Sequence, residues 1–547
     1  MLINKKRRIK EKLLNDFGNI KPDFFDFGYI ESYFRKKDHS TAYQTLSDKT
    51  CNDLDFQELY MFIDRTNSKV GQQYLYNKLR NIPLDPAENI KHESLLDEFT
   101  NNPDFRVSVQ DQLSKLNERE VYYIASLFQD EILKSPKWYF IVPLLCFASV
   151  LSFIMVFFNP VFFLVTLGLF IVNLVIHYWN KKNLYNYFSS IPQLPKLNIV
   201  AQELFKNDIL KEINPNLMKS VNVLNKVSNR MSVFNFEVKM QSDGQLVFWA
   251  LMELVKIVFL IEPLFLFETL KRIDAKRTEI EDVFLFVGEI DALVSIASLR
   301  KGLTNFCTPK IIDEQRSLIA QQVYHPLIEN CVKNDLKLTD KSILLTGSNM
   351  SGKTSFIRTM AINVITGLTI NTCFAEYFSM PRMRIFSAIR ISDDLMNDRS
   401  YYFEEVITIK EMIDKGKDGT LNLFLLDEIF KGTNTVERIS AGKAVLSSLN
   451  QDNNIVFVST HDIELADLLK DEYDLYHFSE IVNHKTVDFD YKLKEGKLKN
   501  RNAIRILQIN DYPESIIKEA IEISEKLDKI VMSKTQLPET CNLYEKK

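Results

Sequence analysis

Residues 342–356 read Ser-Ile-Leu-Leu-Thr-Gly-Ser-Asn-Met-Ser-Gly-Lys-Thr-Ser-Phe. The short apolar run 343–345 is followed by Gly347, Gly352, Lys353 and Thr354, at the G-x-x-x-x-G-K-[ST] spacing of a phosphate-binding loop. The order strand, glycine loop, helix matters because the loop N–H groups and the positive helix N-terminus then converge on one anion. In such a loop Gly347, Ser348, Asn349, Met350, Ser351, Gly352, Lys353, Thr354 and Ser355 form the cradle. Lys353 reaches the β- and γ-phosphates, and the Thr354 hydroxyl ligates Mg2+. Glycine is scarce here, 15 in 547 residues, so two at this spacing form a specific signal. The implied ligand is a nucleoside triphosphate, ATP, with Mg2+.

The stretches downstream supply what such a loop needs. Residues 421–426 form an apolar run that ends in Asp427 and Glu428. This reads as a buried strand with two carboxylates at its tip. Asp427 is expected in the Mg2+ shell, and Glu428 is expected to orient and polarise an attacking water. A third strand is expected at 455–460, with His461 directly after it, at the edge where open α/β sheets bind ligands. There a histidine can sense a γ-phosphate. The stretch Ile391-Ser-Asp-Asp-Leu-Met-Asn-Asp-Arg-Ser400 opens a helix continuing through Tyr401, Phe403 and Glu405. It offers a hydroxyl and a helix N-terminus to an anion. The candidate catalytic residues are thus Glu428, Lys353, His461 and Ser400.

Composition sets the frame for these motifs. A chain of 547 residues should form several domains, and 46% hydrophobic content with 39 Phe and 21 Tyr provides for large cores. The net charge of −4 gives no global basic footprint for nucleic acid. Local basic clusters, Lys5, Lys6, Arg7, Arg8, Lys10 and Lys12, and residues 492–505, read as solvated charge runs. The cysteines at 51, 146, 307, 331, 373 and 541 are scattered without C-x-x-C spacing, which suits reduced thiols and argues against a zinc site.

The middle of the chain has a different character. Between Trp138 and Tyr178 no Asp, Glu, Lys or Arg occurs, and His177 is the one histidine. Residues 139–158 and 161–178 are apolar runs separated by Asn159-Pro160, each near the ~20 residues that cross a bilayer. Tyr139, Tyr178 and Trp179 gather at one end, where aromatic side chains favour the interface. Lys134 and Lys137 precede the pair and Lys181 and Lys182 follow it. The positive-inside bias therefore puts both flanks, the C-terminal domain and both termini on the cytoplasmic side. The expectation is a membrane hairpin, with the membrane contacted through residues 139–178. A third apolar stretch, 246–270, is interrupted by Glu253, Lys256, Glu262 and Glu268, so it reads as a long buried or interface-lying helix, with insertion into the membrane as the alternative.

Elsewhere the periodicity is helical from 53 to 121 and from 196 to 303, the latter ending in the stripe Ile290, Leu293, Ile296 and Leu299. Residues 1–50 show no clear period. From about 311 short strands alternate with helices, which implies a parallel sheet covered by helices, and a last helix is expected over 513–529.

Several motifs together resemble one family. Thr346-Gly-Ser-Asn-Met-Ser-Gly-Lys-Thr354, Ser392-Asp-Asp-Leu395 with Arg399-Ser400, Asp427-Glu428 with Lys431-Gly-Thr433, and Thr460-His461 resemble, in order, the MutS family of DNA mismatch repair ATPases. His325-Pro326 with Glu329 and Asn334-Asp335 resembles the entry to its ATPase domain. Asp64-Arg-Thr66 through Gly71, Pro83-Leu-Asp85 and Asp291-Ala-Leu-Val-Ser295 resemble the start and end of its helical core. Tyr491-Lys-Leu493, Gly496 and the helix after Pro513 resemble its tail.

The resemblance implies an α/β P-loop NTPase domain of the ABC type at the C-terminal end, working as a homodimer. Before it would lie a mostly α-helical core and lever region, interrupted by the two-helix transmembrane hairpin. Ser400 would contact the γ-phosphate held by the opposite subunit, in trans, and nucleotide state would move the helical arms. DNA is the ligand the family implies, and other protein partners are left open. The expected divisions are 1–50, 51–137 (first part of the helical core), 138–180 (hairpin), 181–310 (second part of the core), 311–535 (ATPase domain) and 536–547 (tail).

The chain also departs from the family pattern. Asp398 stands where the signature has glycine, bringing a carboxylate toward a triphosphate, and Ser351 replaces a second loop glycine. The N-terminal mismatch-reading domain, with its Phe-x-Glu reader, is expected to be missing. Two functions follow as expectations. One is a membrane-anchored ATPase related to mismatch repair. The other is a membrane-tethered nucleotide switch that regulates a protein partner without mismatch recognition.

Overall fold

The computed structural model describes residues 2–228, 246–312, 316–348, 350–390, 401–451, 453–482, 487–498 and 512–534, with single positions between 499 and 511. Asn349, Asp398 and Ser400 therefore lie outside the described residues. The chain divides into two compact units. One contains Met1–Leu46, Phe56–Thr304 and Thr366–Thr372; the other contains Ser47–Asp55, Asn305–Ile365 and Cys373–Lys547.

The first unit is built on helices. Ser68 caps the helix Lys69–Arg80 by accepting from the Gly71 N–H, and Asn102 caps Pro103–Leu113 by accepting from Phe105. The helix Lys69–Arg80 packs on the 26-residue helix Arg277–Gly302. Asp291, fully buried on the long helix, accepts from the backbone and side chains of both Asn67 and Ser68 at 2.5–3.1 Å. A Cβ on Gly71 would lie 2.2 Å from Asp291 Oδ2, so only glycine admits this contact. Two of the quoted motifs, 64–71 and 291–295, thus meet in space. Burial pushes the Asp291 pKa up, against the pull of those hydrogen bonds.

Residues 1–50 are more regular than their sequence suggests, with helices Leu2–Asp16 and Phe27–Lys36. The second buries Ile30, Tyr33 and Phe34, an i, i+3, i+4 face too short to stand out among neighbouring aromatics.

The apolar middle forms Ile141–Met155 and Phe162–Phe188, and Asn159 Oδ1 accepts from the Val161 N–H at the turn between them. Two segments, Lys137–Met155 and Phe162–Lys181, are long and apolar enough to cross a membrane. The stretch expected as one helix over 246–270 is instead two, Leu246–Phe259 and Ile261–Asp274. Leu260 breaks it in the left-handed region, at φ 47°, a conformation a leucine adopts only when its surroundings enforce it.

The second unit holds the sheets. Its main sheet runs Lys494–Glu495, Tyr473–His477, Ser342–Thr346, Asn454–Thr460, Asn422–Asp427, Arg384–Ala388, parallel except for the first strand. Every residue of Ser342–Thr346 and Asn454–Thr460 is buried, as expected of strands covered on both faces. One face packs Leu344, Phe424, Leu426, Val456 and Val458 against Ile409, Leu446 and Leu465. A second, mostly antiparallel sheet joins Lys310–Ile311, Tyr377–Met380, Ser317–Val323 and Asn334–Thr339. The sheets of this half are therefore mixed rather than parallel throughout. The final helix is Glu514–Lys534.

The small segment Ser47–Asp55 belongs to this unit although it lies far away in sequence. Asp53, fully buried, accepts from Ser387 Oγ and from the N–H groups of Ile389 and Arg390 at 2.6–3.0 Å.

Candidate functional site

The register of the sheet explains how the candidate residues gather. Thr346 pairs with Thr460, and Ser459 pairs with Asp427, so three parallel strands end at the same level. Their next residues, Gly347, His461 and Glu428, leave the sheet together at its C-terminal edge. That edge is where open parallel sheets bind ligands.

The loop after Thr346 is shaped by close approach. A Cβ on Gly347 would lie 2.7 Å from Ser351 Oγ, and Gly352 has φ 105°, which side chains rarely tolerate. Helix Lys353–Ile370 begins directly after it. Lys353 is buried, and its ammonium donates to the carbonyls of Gly347 at 2.9 Å and Ser348 at 2.8 Å. Burial lowers its pKa, and the nearby carboxylates of Glu428 and Asp427 oppose that shift. Ser351 is 1% exposed, and its hydroxyl has no hydrogen-bond partner. Ser348 Oγ donates to Glu480. Met350 is exposed and Ser355 begins the second turn of contacts, its carbonyl accepting from Thr359 Oγ1 at 2.7 Å.

Thr354 Oγ1 donates to Asp427 Oδ2 at 2.8 Å, and Ser459 Oγ donates to the other carboxylate oxygen. This hard-oxygen set fits a small divalent cation such as Mg2+. The buried, unpartnered Ser351 hydroxyl, the Lys353 ammonium lying back on its own loop, and the space left by the glycine Cα hydrogens fit a phosphate chain.

Glu428 sits in a strained turn. Both Glu428 and Phe430 have positive φ, 53° and 59°, at a cost of about 1–2 kcal/mol each. The turn is held by the Glu428 N–H on the Ser459 carbonyl, 3.0 Å, and the Phe430 N–H on Glu405 Oε1, 2.5 Å. The Glu428 carboxylate lies 2.6 Å from His461 Nε2 and 2.9 Å from Lys431 Nζ. The His461 hydrogen bond, and then Lys431, hold its pKa down at about 2. His461 Nε2 is also 3.5 Å from Lys353 Nζ.

A cavity of about 490 Å³ opens beside the loop, lined by Lys353, Thr354 and Glu428 and by Tyr324, Ile328 and Tyr491. Lys353, Thr354, Asp427, Glu428 and His461 thus come together, while Ser400 and Asn349 fall outside the described residues. Sequence reading assigned no part in the site to Ser459, Lys431, Glu405 or the tyrosines. Lys431 was readable as a cation three residues after Glu428. Ser459 becomes visible only when the strand register is known.

The geometry defines an α/β domain whose polar groups collect at the C-terminal ends of parallel strands. Its sequence matches the family described as MutS domain V over residues 343–528. The chain is 31% identical over 271 residues to the DNA mismatch repair protein MutS of Listeria monocytogenes serotype 4a, covering 46% of this chain and 31% of that protein. It is 27% identical over 283 residues to the DNA mismatch repair protein MSH3 of Saccharomyces cerevisiae, covering 48% and 27%. With MutS of Petrotoga mobilis the identity is 30% over 283 residues, covering 49% and 34%. Residues 343–528 thus form a MutS-family domain. The chain spans about a third of the length of the relatives it matches.

Proposed function

We propose that the protein binds ATP with Mg2+ at the 347–355 loop and hydrolyses it to ADP and phosphate. The observation that carries this reading is the convergence of Lys353, the Thr354–Asp427 hydrogen bond, Glu428 and His461 at three adjacent strand ends. Lys353 exchanges its loop carbonyls for the β- and γ-phosphate oxygens, and the Ser351 hydroxyl gains a partner. Thr354 and Asp427 hold Mg2+, which when bound draws charge from the phosphate oxygens. Glu428 accepts a hydrogen bond from the attacking water and orients it, after giving up one of its two cationic contacts. His461, between Lys353 and Glu428, faces the γ-phosphate.

The functional unit is a homodimer in which Ser400 of each copy completes the site of the other. The test is complementation in mixed dimers. Ser400→Ala and Lys353→Ala, each inactive alone, should recover activity at one composite site when combined, and no recovery contradicts the trans arrangement.

The hairpin 139–178 anchors the protein in a membrane with the ATPase domain and both termini cytoplasmic. What supports this is the pair of long apolar helices with lysine-rich flanks at one end. DNA is the proposed ligand of the helical unit, since the relatives are named as DNA mismatch repair proteins. Affinity for duplex DNA should fall steeply with salt as phosphate contacts release counterions. A salt-independent, nucleotide-sensitive protein partner would favour the regulatory switch instead.

A further inference from the structure

The charged residues that interrupt the 246–270 stretch do not face outward. Glu253 Oε1 lies 2.5 Å from Lys181 Nζ and 3.2 Å from His177 Nε2, both on the second hairpin helix. Lys256 Nζ lies 3.3 Å from Glu253 and 3.1 Å from Glu262, and Glu262 Oε2 is 3.5 Å from His177 Nδ1. His177 is completely buried. Two carboxylates and two ammonium groups therefore cancel inside a bundle whose outward side chains, Leu164, Val175, Leu254 and Val255 among them, are apolar. His177, Glu253 and Glu262 offer ligand atoms within 4.8 Å of one another. The two lysines already balance the carboxylates, so an added dication would leave buried positive charge uncompensated.

The break at Leu260 sits where the bundle can support it. Leu260 is fully buried, and the buried Asn173 amide on the hairpin donates to the Val258 carbonyl at 2.7 Å, while its Nδ2 also reaches Ser149 Oγ at 2.9 Å. A carbonyl at the end of the first helix is thus satisfied by a side chain rather than by water. Non-helical backbone at membrane depth is tolerated only when protein encloses it in this way.

Depth follows from the aromatic belt. Trp138 and Trp179 pack at 4.9 Å, Tyr139 and Phe267 at 5.0 Å, and Tyr139 Oη donates to the Leu264 carbonyl at 3.2 Å. Asn173 lies six residues before Trp179, so the turn at Leu260 reaches about 9 Å beyond the belt, against a half-bilayer of about 15 Å. The chain then returns along Ile261–Asp274 to the same end, where Lys134, Lys137, Lys271 and Arg272 suit anionic headgroups.

From this we propose that Leu246–Phe259 and Ile261–Asp274 form a re-entrant wedge that enters the cytoplasmic leaflet beside the hairpin, with lipid acyl chains as its outer contact. The proposal rests on the membrane reading of the hairpin. It is tested with the unaltered full chain in phosphatidylcholine–phosphatidylglycerol vesicles. These carry a phospholipid with a photoactivatable diazirine either near the glycerol or at the acyl terminus, and adducts are mapped by mass spectrometry.

The shallow probe should label the peptide containing Leu254 and Val255 as well as the hairpin. The deep probe should label the hairpin around Leu151 and Leu164 and lose the signal at 254–255. Labelling of the hairpin alone by both probes overturns the wedge and leaves the hairpin standing. Equal labelling of 254–255 by both probes overturns the re-entrant depth. No labelling of either segment overturns the wedge and the membrane reading together.

Discussion

In the sheet unit, Lys353, Asp427, Glu428 and His461 converge at strand ends beside a cavity of about 490 Å³. In the helical unit, His177, Lys181, Glu253, Lys256 and Glu262 converge among apolar side chains, with His177 and Glu262 at 0% and 6% exposure. In the first group Glu428 stands at positive φ, and the nearby Ser351 hydroxyl has no hydrogen-bond partner. The second neutralises itself pair by pair. A charge cluster that faces open space is able to take a ligand, whereas buried charge that faces its own opposite allows a helix to lie in an apolar medium.

The largest effect should come from the open site. Lys353→Ala removes the cation proposed to meet the phosphates, so ATP affinity measured by calorimetry should fall by about 10⁴-fold, roughly 5.5 kcal/mol. Retained affinity would place the nucleotide elsewhere. In the closed cluster, Lys256→Met leaves Glu253 and Glu262 short of a counter-charge and should cost roughly 3–5 kcal/mol in denaturant unfolding of the reconstituted protein. Adding Glu262→Leu should recover much of that loss. If the double variant is worse than the single one by the full sum, the two residues are not a pair.

Asp291 offers an intermediate case, a buried carboxylate satisfied by neutral donors. Gly71→Ala should force that carboxylate from its hydrogen bonds and cost about 2–3 kcal/mol. A neutral outcome would mean the contact between the two helices yields easily.

The smallest effect is a pH dependence at His325. Burial, and then Arg358, lower its pKa from the usual 6.5 to about 4, and its Nδ1 accepts from the Leu327 N–H. The folded state therefore holds a neutral ring where the unfolded chain takes a proton. Stability from this group is complete above about pH 6.5 and is lost as pH falls toward 4, on the order of 2 kcal/mol. Chemical denaturation at pH 7 and pH 4.5 should show the loss, and His325→Gln should reduce it.

Much of the candidate site was legible because its parts are local. The strand expected before the glycine loop is Ser342–Thr346, and those expected at 421–426 and 455–460 are Asn422–Asp427 and Asn454–Thr460. Each is a short apolar run whose terminal polar residue announces itself. What escaped is non-local. The antiparallel sheet joins segments as distant as 310 and 380, and Asp53 satisfies backbone beside Arg390 across more than three hundred residues. The break at Leu260, by contrast, has a local mark: Pro263 suits the first turn of a helix but not the interior of one running through 246–270. The charges at 253, 256 and 262 argue against a membrane position when read alone, and the partners of Glu253, Lys181 and His177, lie far from it in sequence.

The most direct measurement is single-turnover hydrolysis of radiolabelled ATP by Glu428→Gln in the full-length protein, with binding followed in the same sample. The variant should bind ATP as the parent chain does and release phosphate about 10²- to 10⁴-fold more slowly. Phosphate release at the parent rate would contradict the assignment of Glu428, and with it the site built at the strand ends.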